Sequence, residues 1–560
     1  MLLRRFCACC VPLVILAACS RGEPSTSPAQ GPDGGTLVIA EPGDADNLLP
    51  PMAASMLGHE VADLVFDHLA EIGDNMRTTG DQGFTPQLAD HWTWAPDSMS
   101  VAFHLNPRAR WHDGVPVRAS DVRFSLDLYK NPKLGSPIAP LLSNVDSVSV
   151  KDSLTAVAWF HAKSPESFFN IVYQLWVLPA HVLDTIPPER LATSAAARHP
   201  IGSGRFRFVS WEPGSRLMLV ADTGNYRGRA KLDRVIWAIT PDNNAAFALT
   251  LSREADLMEI ATPDQLKAAA SHPSLRVFPW PSLQYVFLAM NFRAPGHHAQ
   301  PNAVFSDLRV RRAVSMAIDR HAMLQNVFDS LGAASYGPFP RSLATADTTL
   351  RLPPYDPAHA RALLDSAGWT VGPDSVRRRN GKPLDVRLIA PTSSAFRMSY
   401  TVLIQDALRK VGIKVDIDAE PFPSFFAKQL AGDFDLALAG YGTDPNAGGA
   451  AQQWGSDAMP PGGFNYLAYS DPRFDALLDS ASKTFDAQTA RRYASRAYQV
   501  IVDDAPGVWL YDGVSYGLIS TRFHVPAMRA DGWWQHLADW TVPVAERIDR
   551  DRLGLGAPTH

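Results

Sequence analysis

Apolar and polar residues follow strand-like patterns near the start of the chain. Thr36–Ala40 (TLVIA) is a short apolar run that predicts a buried strand, and Ser100–Leu105 (SVAFHL) alternates as a half-buried strand does. The turn Asp113-Gly114 follows, and Ser120 is the expected N-cap of a helix whose apolar side chains recur on one face. These patterns predict strands and helices mixed along the chain.

Helical periodicity recurs in the second half. Asp307 precedes one helical pattern, and Asp356-Pro357 starts another that ends at Gly368. Tyr400–Lys410 is amphipathic and is followed by the predicted strand Ile413–Ile417. Repeated helix and strand predict an α/β body, and a chain of 560 residues predicts two or three domains rather than one core.

The N-terminal residues carry a targeting pattern. Basic Arg4-Arg5 precede the apolar run Val11–Ala18, which is too short to span a bilayer about 30 Å thick. Leu16-Ala-Ala-Cys19 resembles the bacterial lipobox, which implies a signal peptide at 1–18 and lipidation of Cys19. An ordinary secretory signal is the alternative. The Ser-, Pro- and Gly-rich residues 19–35 predict a flexible tether to the membrane.

Composition narrows the function classes. All four cysteines lie at or before Cys19, so disulfides, cysteine-zinc sites and cysteine nucleophiles are excluded from the body. The formal charge of −5 and the lack of basic runs argue against a nucleic-acid partner. No later apolar run reaches the length of a membrane helix, so we expect the body to lie outside the bilayer.

Short motifs follow one another in a fixed order through the body. Together they resemble the signatures of bacterial extracellular solute-binding proteins of the oligopeptide, dipeptide and nickel importer class. The resemblance runs from about Thr36 to Val542, with Arg205 and Asn106-Pro107 as local departures. The motifs are Pro86–Ala89, Trp111–Gly114, Ala119–Val122, Ile201–Gly204, Asp307–Arg311, Ala317–Arg320, Tyr355–Pro357, Ala367–Trp369 and Gly432–Asp435.

These motifs are expected to serve the fold rather than the site. Asp113-Gly114 is a turn, Ser120 or Asp121 a helix cap, and Gly202 and Gly204 permit close backbone approach.

The resemblance implies a type II periplasmic-binding-protein fold of the large, three-domain variety, with two α/β lobes joined by a hinge. Tyr285–Phe292 and Val508–Ile519 are the candidate crossings between the lobes. The implied segments are 36–80 and 200–285 for lobe 1, 81–199 for a domain inserted in it, 286–510 for lobe 2, 511–545 for the return to lobe 1, and 546–560 for a C-terminal tail.

The resemblance also implies a solute-binding component of an ABC importer, a monomer on the periplasmic side that captures a peptide-like solute and passes it to a permease. A buried ligand ammonium needs a carboxylate. Peptide-binding relatives carry an aspartate shortly after a strand of the second lobe, so the resemblance implies Asp444, after the predicted strand Asp433–Ala439, as the leading candidate, with Tyr441 packing on the ligand. In another register, Asp444-Pro445 is only a turn.

Three further residues are weaker ligand candidates. Glu41 follows the first strand, and Arg397, in the loop before a helix, is suited to a peptide carboxylate, although a solvated loop arginine is the alternative. Trp454 is either a pocket wall or core.

Two other function classes compete. Gly513–Gly517 matches the G-x-S-x-G pattern of a hydrolase around Ser515, but extended chain follows where that motif requires a helix. His297-His298 is a possible metal pair, although adjacent histidines seldom converge on one ion. A binder of metal chelates or other small solutes therefore remains the alternative, and no cofactor or metal site is assigned.

Overall fold

The computed structural model describes residues 33–552, apart from 447 and 461. Cys19, the signal at 1–18 and most of the tether at 19–35 lie outside the described residues, as does the end of the tail from 553. None of the described helices is long and apolar enough to cross a membrane.

Most of the described strands lie in the first half of the chain, up to Met290. Its elements are β1 (Thr36–Glu41), α1 (Met56–Val65), β2 (Ala70–Ile72), β3 (Phe84–Pro86), β4 (Ala89–Trp94), β5 (Ser100–Leu105), α2 (Ala119–Tyr129), β6 (Val145–Asp152), β7 (Thr155–Phe160), α3 (Ser167–Tyr173), α4 (Ala180–Leu183), β8 (Phe206–Glu212), β9 (Arg216–Ala221), β10 (Arg234–Ile239), α5 (Asn243–Leu251), β11 (Leu257–Met258), α6 (Pro263–Ala269) and β12 (Leu275–Met290).

The second half is richer in helices. Its elements are β13 (Arg293–Ala294), β14 (His297–Pro301), α7 (Leu308–Ala317), α8 (Arg320–Phe328), α9 (Pro357–Ser366), β15 (Thr370–Val371), β16 (Arg377–Arg379), β17 (Lys382–Pro383), β18 (Asp385–Pro391), α10 (Ala395–Arg409), β19 (Lys414–Glu420), α11 (Phe422–Leu430), β20 (Leu436–Gly442), α12 (Gly448–Trp454), α13 (Pro472–Ser482), α14 (Ala487–Asp504) and β21 (Gly507–Ser520). A 3₁₀ segment, Trp533–Asp539, follows.

One sheet of ten strands organises the molecule, in the order β19-β18-β20-β12-β21-β11-β1-β10-β9-β8. We call the half from β11 to β8, with the elements packed on it, lobe 1, and the half from β19 to β20, with its helices, lobe 2. Strands β12 and β21 belong to both halves. They pair antiparallel on each side of a register shift between Pro281 and Tyr285. That shift marks the passage between the lobes.

Lobe 2 is a three-layer arrangement. Helices α7 to α10 cover one face of its sheet through an apolar cluster that continues past the hinge to Met258. Helices α12 to α14 cover the other face through an aromatic cluster centred on Phe287 and Trp509. Because both faces are covered, the strands between them read as nearly continuous apolar runs.

Lobe 1 carries a second sheet. Residues 89–160 form four antiparallel strands in the order β4-β5-β7-β6, and α2 and α3 pack on them. One apolar cluster runs from this sheet into the main sheet of lobe 1. The two-lobed α/β architecture agrees with the predicted fold class, whereas the individual segment boundaries, such as 81–199, stay predictions.

Several predicted elements are confirmed with their caps. Ser100–Leu105 is β5, Asp307 accepts a hydrogen bond from the backbone of Arg309 at 2.9 Å, and Asp356 caps α9 in the same way. Gly368 follows α9 with a φ of +82°, a conformation that glycine adopts readily.

Three local predictions were wrong. Helix α2 begins at Ala119, so Ser120 lies inside its first turn and is not the cap, whereas Asp121, the alternative cap, supplies the capping acceptor. Strand β20 is shifted toward the C-terminus of Asp433–Ala439, because it continues to Gly442 while pairing with β12. Helix α10 begins at Ala395, so Arg397 belongs to its first turn rather than to a preceding loop.

The close approach expected at Gly202 and Gly204 is present. A Cβ atom built on Gly202 would overlap the carbonyl oxygen of Val65, and one on Gly204 would collide with the carbonyl oxygen of Leu64. Both oxygens belong to the last turn of α1, so these glycines allow the chain to lie directly against that helix.

We predict that Gly202→Ala lowers stability by about 1–3 kcal/mol or more, because the added methyl meets backbone that cannot turn aside. Thermal unfolding of the purified protein measures the loss. Gly224→Ala is the control, since its Cβ would lie 3.8 Å from Asp222 Oδ1, an ordinary van der Waals contact. Equal melting temperatures for the two variants would contradict the close-packing interpretation.

Candidate functional site

A cavity of about 510 Å³ lies between the lobes. Most of its wall belongs to lobe 1, including residues of α1, the segment 172–176 and the 3₁₀ segment Trp533–Asp539. Strand β12 contributes Ser282–Gln284 at the hinge, and lobe 2 contributes Gly442–Asp444. The volume falls in the range of about 300–1,000 Å³ that is typical of small-molecule sites.

Asp63 is fixed at the lobe 1 wall by neutral donors. Trp534 Nε1 and Gln535 Nε2 donate to Asp63 Oδ2 at 2.7 and 2.9 Å. Trp176 Nε1 donates to Asp63 Oδ1 at 2.9 Å. Burial raises the pKa of Asp63 even though these indole donors favour its charged form. The carboxylate is therefore oriented by hydrogen bonds, and among the described residues it forms no ion pair.

The three guanidinium groups in the wall are all held in ion pairs. The pairs are Arg529–Asp531 (2.7 Å), Arg529–Glu71 (3.0 Å), Arg205–Asp539 (2.9 Å) and Arg227–Asp67. Tyr173 also donates to Asp531, at 3.2 Å. Because each guanidinium already faces at least one carboxylate, these groups act chiefly to stabilise the wall.

Asp444 lies two residues beyond β20, in the part of the wall that lobe 2 supplies. Gln174 Nε2, from the opposite side of the cavity, donates to Asp444 Oδ2 at 3.3 Å. Within the described part of the chain, no cationic side chain forms an ion pair with it. Burial raises the pKa of Asp444, against the opposing effect of the Gln174 hydrogen bond.

Tyr441 and Trp454 lie in the aromatic core of lobe 2. Tyr441 points from β20 into that core, and its hydroxyl donates to the carbonyl of Phe464 at 2.6 Å. Trp454 is fully buried and donates from Nε1 to the hydroxyl of Tyr285 at 2.8 Å. Neither belongs to the described lining of the cavity. Trp454 therefore fits the core alternative, and ligand contact by Tyr441 stays a prediction without geometric support.

Arg397 and Glu41 are also outside the lining. The guanidinium of Arg397 packs over Gly440, where a side chain would collide with it. Glu41 ends β1 and faces two other carboxyl groups rather than the cavity. Of the five ligand residues predicted from the sequence, Asp444 therefore lines the cavity, whereas the other four do not belong to its described lining.

Glu41, Glu60 and Glu259 form a buried carboxyl cluster beneath the lobe 1 wall. Trp237 Nε1 donates to Glu60 Oε2 at 2.9 Å, while the other oxygen of Glu60 accepts no hydrogen bond from an N–H or hydroxyl group of the described residues. Burial, followed by the charge of Glu259, raises the pKa of Glu41 from 4.5 to about 9, and burial also raises the pKa of Glu60 and of Glu259. Two carboxyl groups form a hydrogen bond with each other only when at least one of them is protonated.

The competing chemistries lack their structural context. Ser515 lies within β21 opposite Trp280, on continuous strand rather than on a strand-to-helix turn. His297 lies in β14, and the side chain of His298 is outside what the structure describes. Over the described residues, no group of three or more His, Cys, Asp or Glu side chains is arranged to hold a metal ion.

Sequence reasoning missed Asp63 and its donors. The available signal was the helix MLGHEVADLV, in which His59, Glu60 and Asp63 interrupt an otherwise apolar segment. Polar residues within an apolar helix indicate either buried hydrogen-bond partners or a nearby cavity. Helix α1 has both.

Comparisons with known proteins agree with this architecture. A family model described as bacterial extracellular solute-binding proteins, family 5, middle, matches residues 83–459. A Brucella melitensis protein named as an ABC transporter peptide-binding protein is 28% identical over 473 residues, covering 81% of this chain and 84% of its own.

Two solved structures share the fold. The oligopeptide-binding protein AppA of Bacillus subtilis, in complex with a nonapeptide, superposes with a TM-score of 0.71 at 21% identity, covering 91% of this chain and 99% of its own. NikZ of Campylobacter jejuni, in complex with Ni(L-His), gives 0.72 at 23% identity, covering 90% and 99%.

The carboxyl cluster predicts a pH dependence of stability. The folded state keeps protons that the unfolded state loses above about pH 4.5, so this contribution is full in acid and falls as the pH rises toward about 9. Each such proton changes the unfolding free energy by about 1.4 kcal/mol per pH unit. Glu60→Gln should therefore flatten the decline in melting temperature between pH 5 and 9.

Glu546→Gln, at an exposed position, is the matched control and should leave the decline unchanged. A Glu60→Gln protein whose melting temperature falls with pH as steeply as the wild type would show that the cluster does not hold extra protons.

Proposed function

We propose that this chain, which belongs to the family 5 bacterial extracellular solute-binding proteins, captures a peptide-like solute between its lobes and delivers it to an ABC permease. In this proposal the chain works as a monomer, catalyses no reaction and needs no cofactor. The family match over residues 83–459 establishes the class, and the ligand and permease are inferred from it.

One observation carries the choice of ligand. Asp444 presents a largely buried carboxylate to the cavity, and Gln174 is its one side-chain hydrogen-bond donor among the described residues. A buried charge without a counter-charge is costly, so the site favours a ligand that brings a cation. The amino terminus of a peptide is the simplest such group, and it suits relatives whose names describe peptide binding.

The fold suits capture by closure. The hinge strands pass between the lobes at Ser282–Gln284, which also line the cavity. A rotation there would bring Asp444 toward or away from Gln174 and the rest of the lobe 1 wall. A metal chelate is the second candidate, because NikZ, with the same fold, binds one, but the described residues offer no metal cluster in its support.

Membrane attachment is a separate part of the proposal. Leu16–Cys19 supports lipidation of Cys19, which would hold the body on the periplasmic side of a bacterial membrane through the residues 19–35. The choice between the inner and the outer membrane stays open.

We predict that Asp444→Asn weakens binding of small peptides by about 30-fold to several thousand-fold, corresponding to about 2–5 kcal/mol for one partner of a buried charge pair. Calorimetric titration with a small peptide library measures the loss. Acetylating the peptide amine should weaken binding to the wild type by a similar factor. The two losses should not add, because each removes the same pair.

Asp457→Asn, at an exposed position of lobe 2 outside the lining, removes the same charge and should bind peptides normally. Normal binding by a folded Asp444→Asn protein would leave Asp444 as a turn residue, and the peptide proposal would lose its main support.

The anchoring proposal predicts that Cys19→Ala moves the protein from the membrane fraction to the soluble fraction while the melting temperature of the body is unchanged. Cys10→Ala, earlier in the leader, is the control and should remain with the membrane. Retention of the Cys19→Ala protein in washed membranes would exclude lipidation as the tether.

A further inference from the structure

The charges of the cavity wall do not balance. Its described lining contains five carboxyl side chains, three arginines and no lysine. The three arginines face Asp531, Glu71 and Asp539 in the wall and Asp67 beneath it. After these ion pairs are counted, two lining carboxylates have no cationic partner among the described residues. They are Asp63 on lobe 1 and Asp444 on lobe 2.

The histidines of the lining do not restore the balance. Burial lowers the pKa of His68 to about 4, so this ring is neutral, and Asp74 bonds the ring of His536 at 2.8 Å. His59 lies one turn before Asp63 on α1 but forms no ion pair with it among the described residues, and its effect on the pKa of Asp63 is smaller than that of burial. The cavity is therefore anionic, and no arginine or lysine of its described wall is left for a ligand carboxylate.

Asp63 has the features of a receptor for a cation. Three neutral N–H groups hold its carboxylate in place, which leaves acceptor capacity directed at the cavity that it lines. Neutral donors orient a carboxylate without cancelling its charge, whereas the arginine of an ion pair does both. A cationic ligand group at Asp63 would gain a strong, charge-assisted hydrogen bond.

We propose that the cavity selects cationic solutes: a second positive group of the ligand, such as a lysine or arginine side chain, binds Asp63, while the ligand's carboxyl end receives no ion pair. This inference rests on the proposed function, in which the first positive group binds Asp444. It names the substrate class as small basic peptides or similar compounds with two cationic groups.

The test compares ligands that differ only at one side chain. Alanine tripeptides with a single lysine at each position in turn are titrated against the same peptides with norleucine, which has the lysine stem without its charge. At the best position, lysine should bind at least about tenfold more tightly than norleucine. Amidation of the carboxyl terminus should change the affinity by less than about threefold.

Variants then locate the effect. Asp63→Asn should reduce the lysine preference to less than about threefold, and circular dichroism checks that this variant is folded. Asp74→Asn removes the same charge just behind the wall, at a position that is not part of the described lining, and should keep the preference. The comparison of lysine with norleucine on the wild type needs no variant, so a misfolded Asp63→Asn protein does not prevent the test.

The outcomes separate the two proposals. If both tripeptide series bind equally and acetylation of the amine abolishes binding, the cationic selection is wrong and peptide capture stands. Loss of binding by more than about tenfold on amidation also overturns the selection, because a cation for the carboxylate must then exist. If neither series binds, both proposals are wrong.

Discussion

The antiparallel pairing of β12 with β21 is the interaction on which the two-lobed structure depends. Each of these strands forms hydrogen bonds in both halves of the sheet. The lobes are therefore joined by two paired strands rather than by unpaired linkers. The longest lapse in the pairing lies between Pro281 and Tyr285, and a smaller register shift follows between Val286 and Phe287. A proline lacks the N–H that a ladder needs, and the lapse leaves a short stretch whose backbone can bend while the strands on either side stay paired. The same stretch lines the cavity, so bending and ligand contact meet at one place.

Electrostatics, rather than shape alone, distinguishes the wall of this cavity. Ion pairs such as Arg529–Asp531 stabilise the wall internally, whereas Asp63 and Asp444 form no ion pair with any other described residue. Below the wall, the carboxyl groups of Glu60 and its neighbours are held close by the ends of β1 and β11 and by α1. Such groups cost stability, and the large apolar clusters of both lobes offset that cost.

The helices and strands of the fold could be predicted from the sequence more completely than the residues of the site, for physical reasons. Strand alternation and aspartate caps are local signals, so β5, α7 and α9 were predictable from a few residues each. The end of β20 was not, because its register is set by Tyr285, which lies far away in the chain. Asp444 was proposed because the family resemblance implies an aspartate shortly after a strand of lobe 2, and the structure places it in the lining of the cavity. Asp63 was missed because its donors, Trp176 and Trp534, come from segments with no periodic pattern that would bring them to α1.

The unequal shares of the two lobes in the cavity wall have a kinetic consequence. In the proposed capture, a solute would meet most of the described lining on lobe 1, and lobe 2 would add Gly442–Asp444 on closure. We infer that lobe 1 would then govern the rate of association, while Gly442–Asp444 on lobe 2 would govern the residence time. Evolution can then retune how long the solute is held, through a few residues after β20, without rebuilding the surface that recognises it.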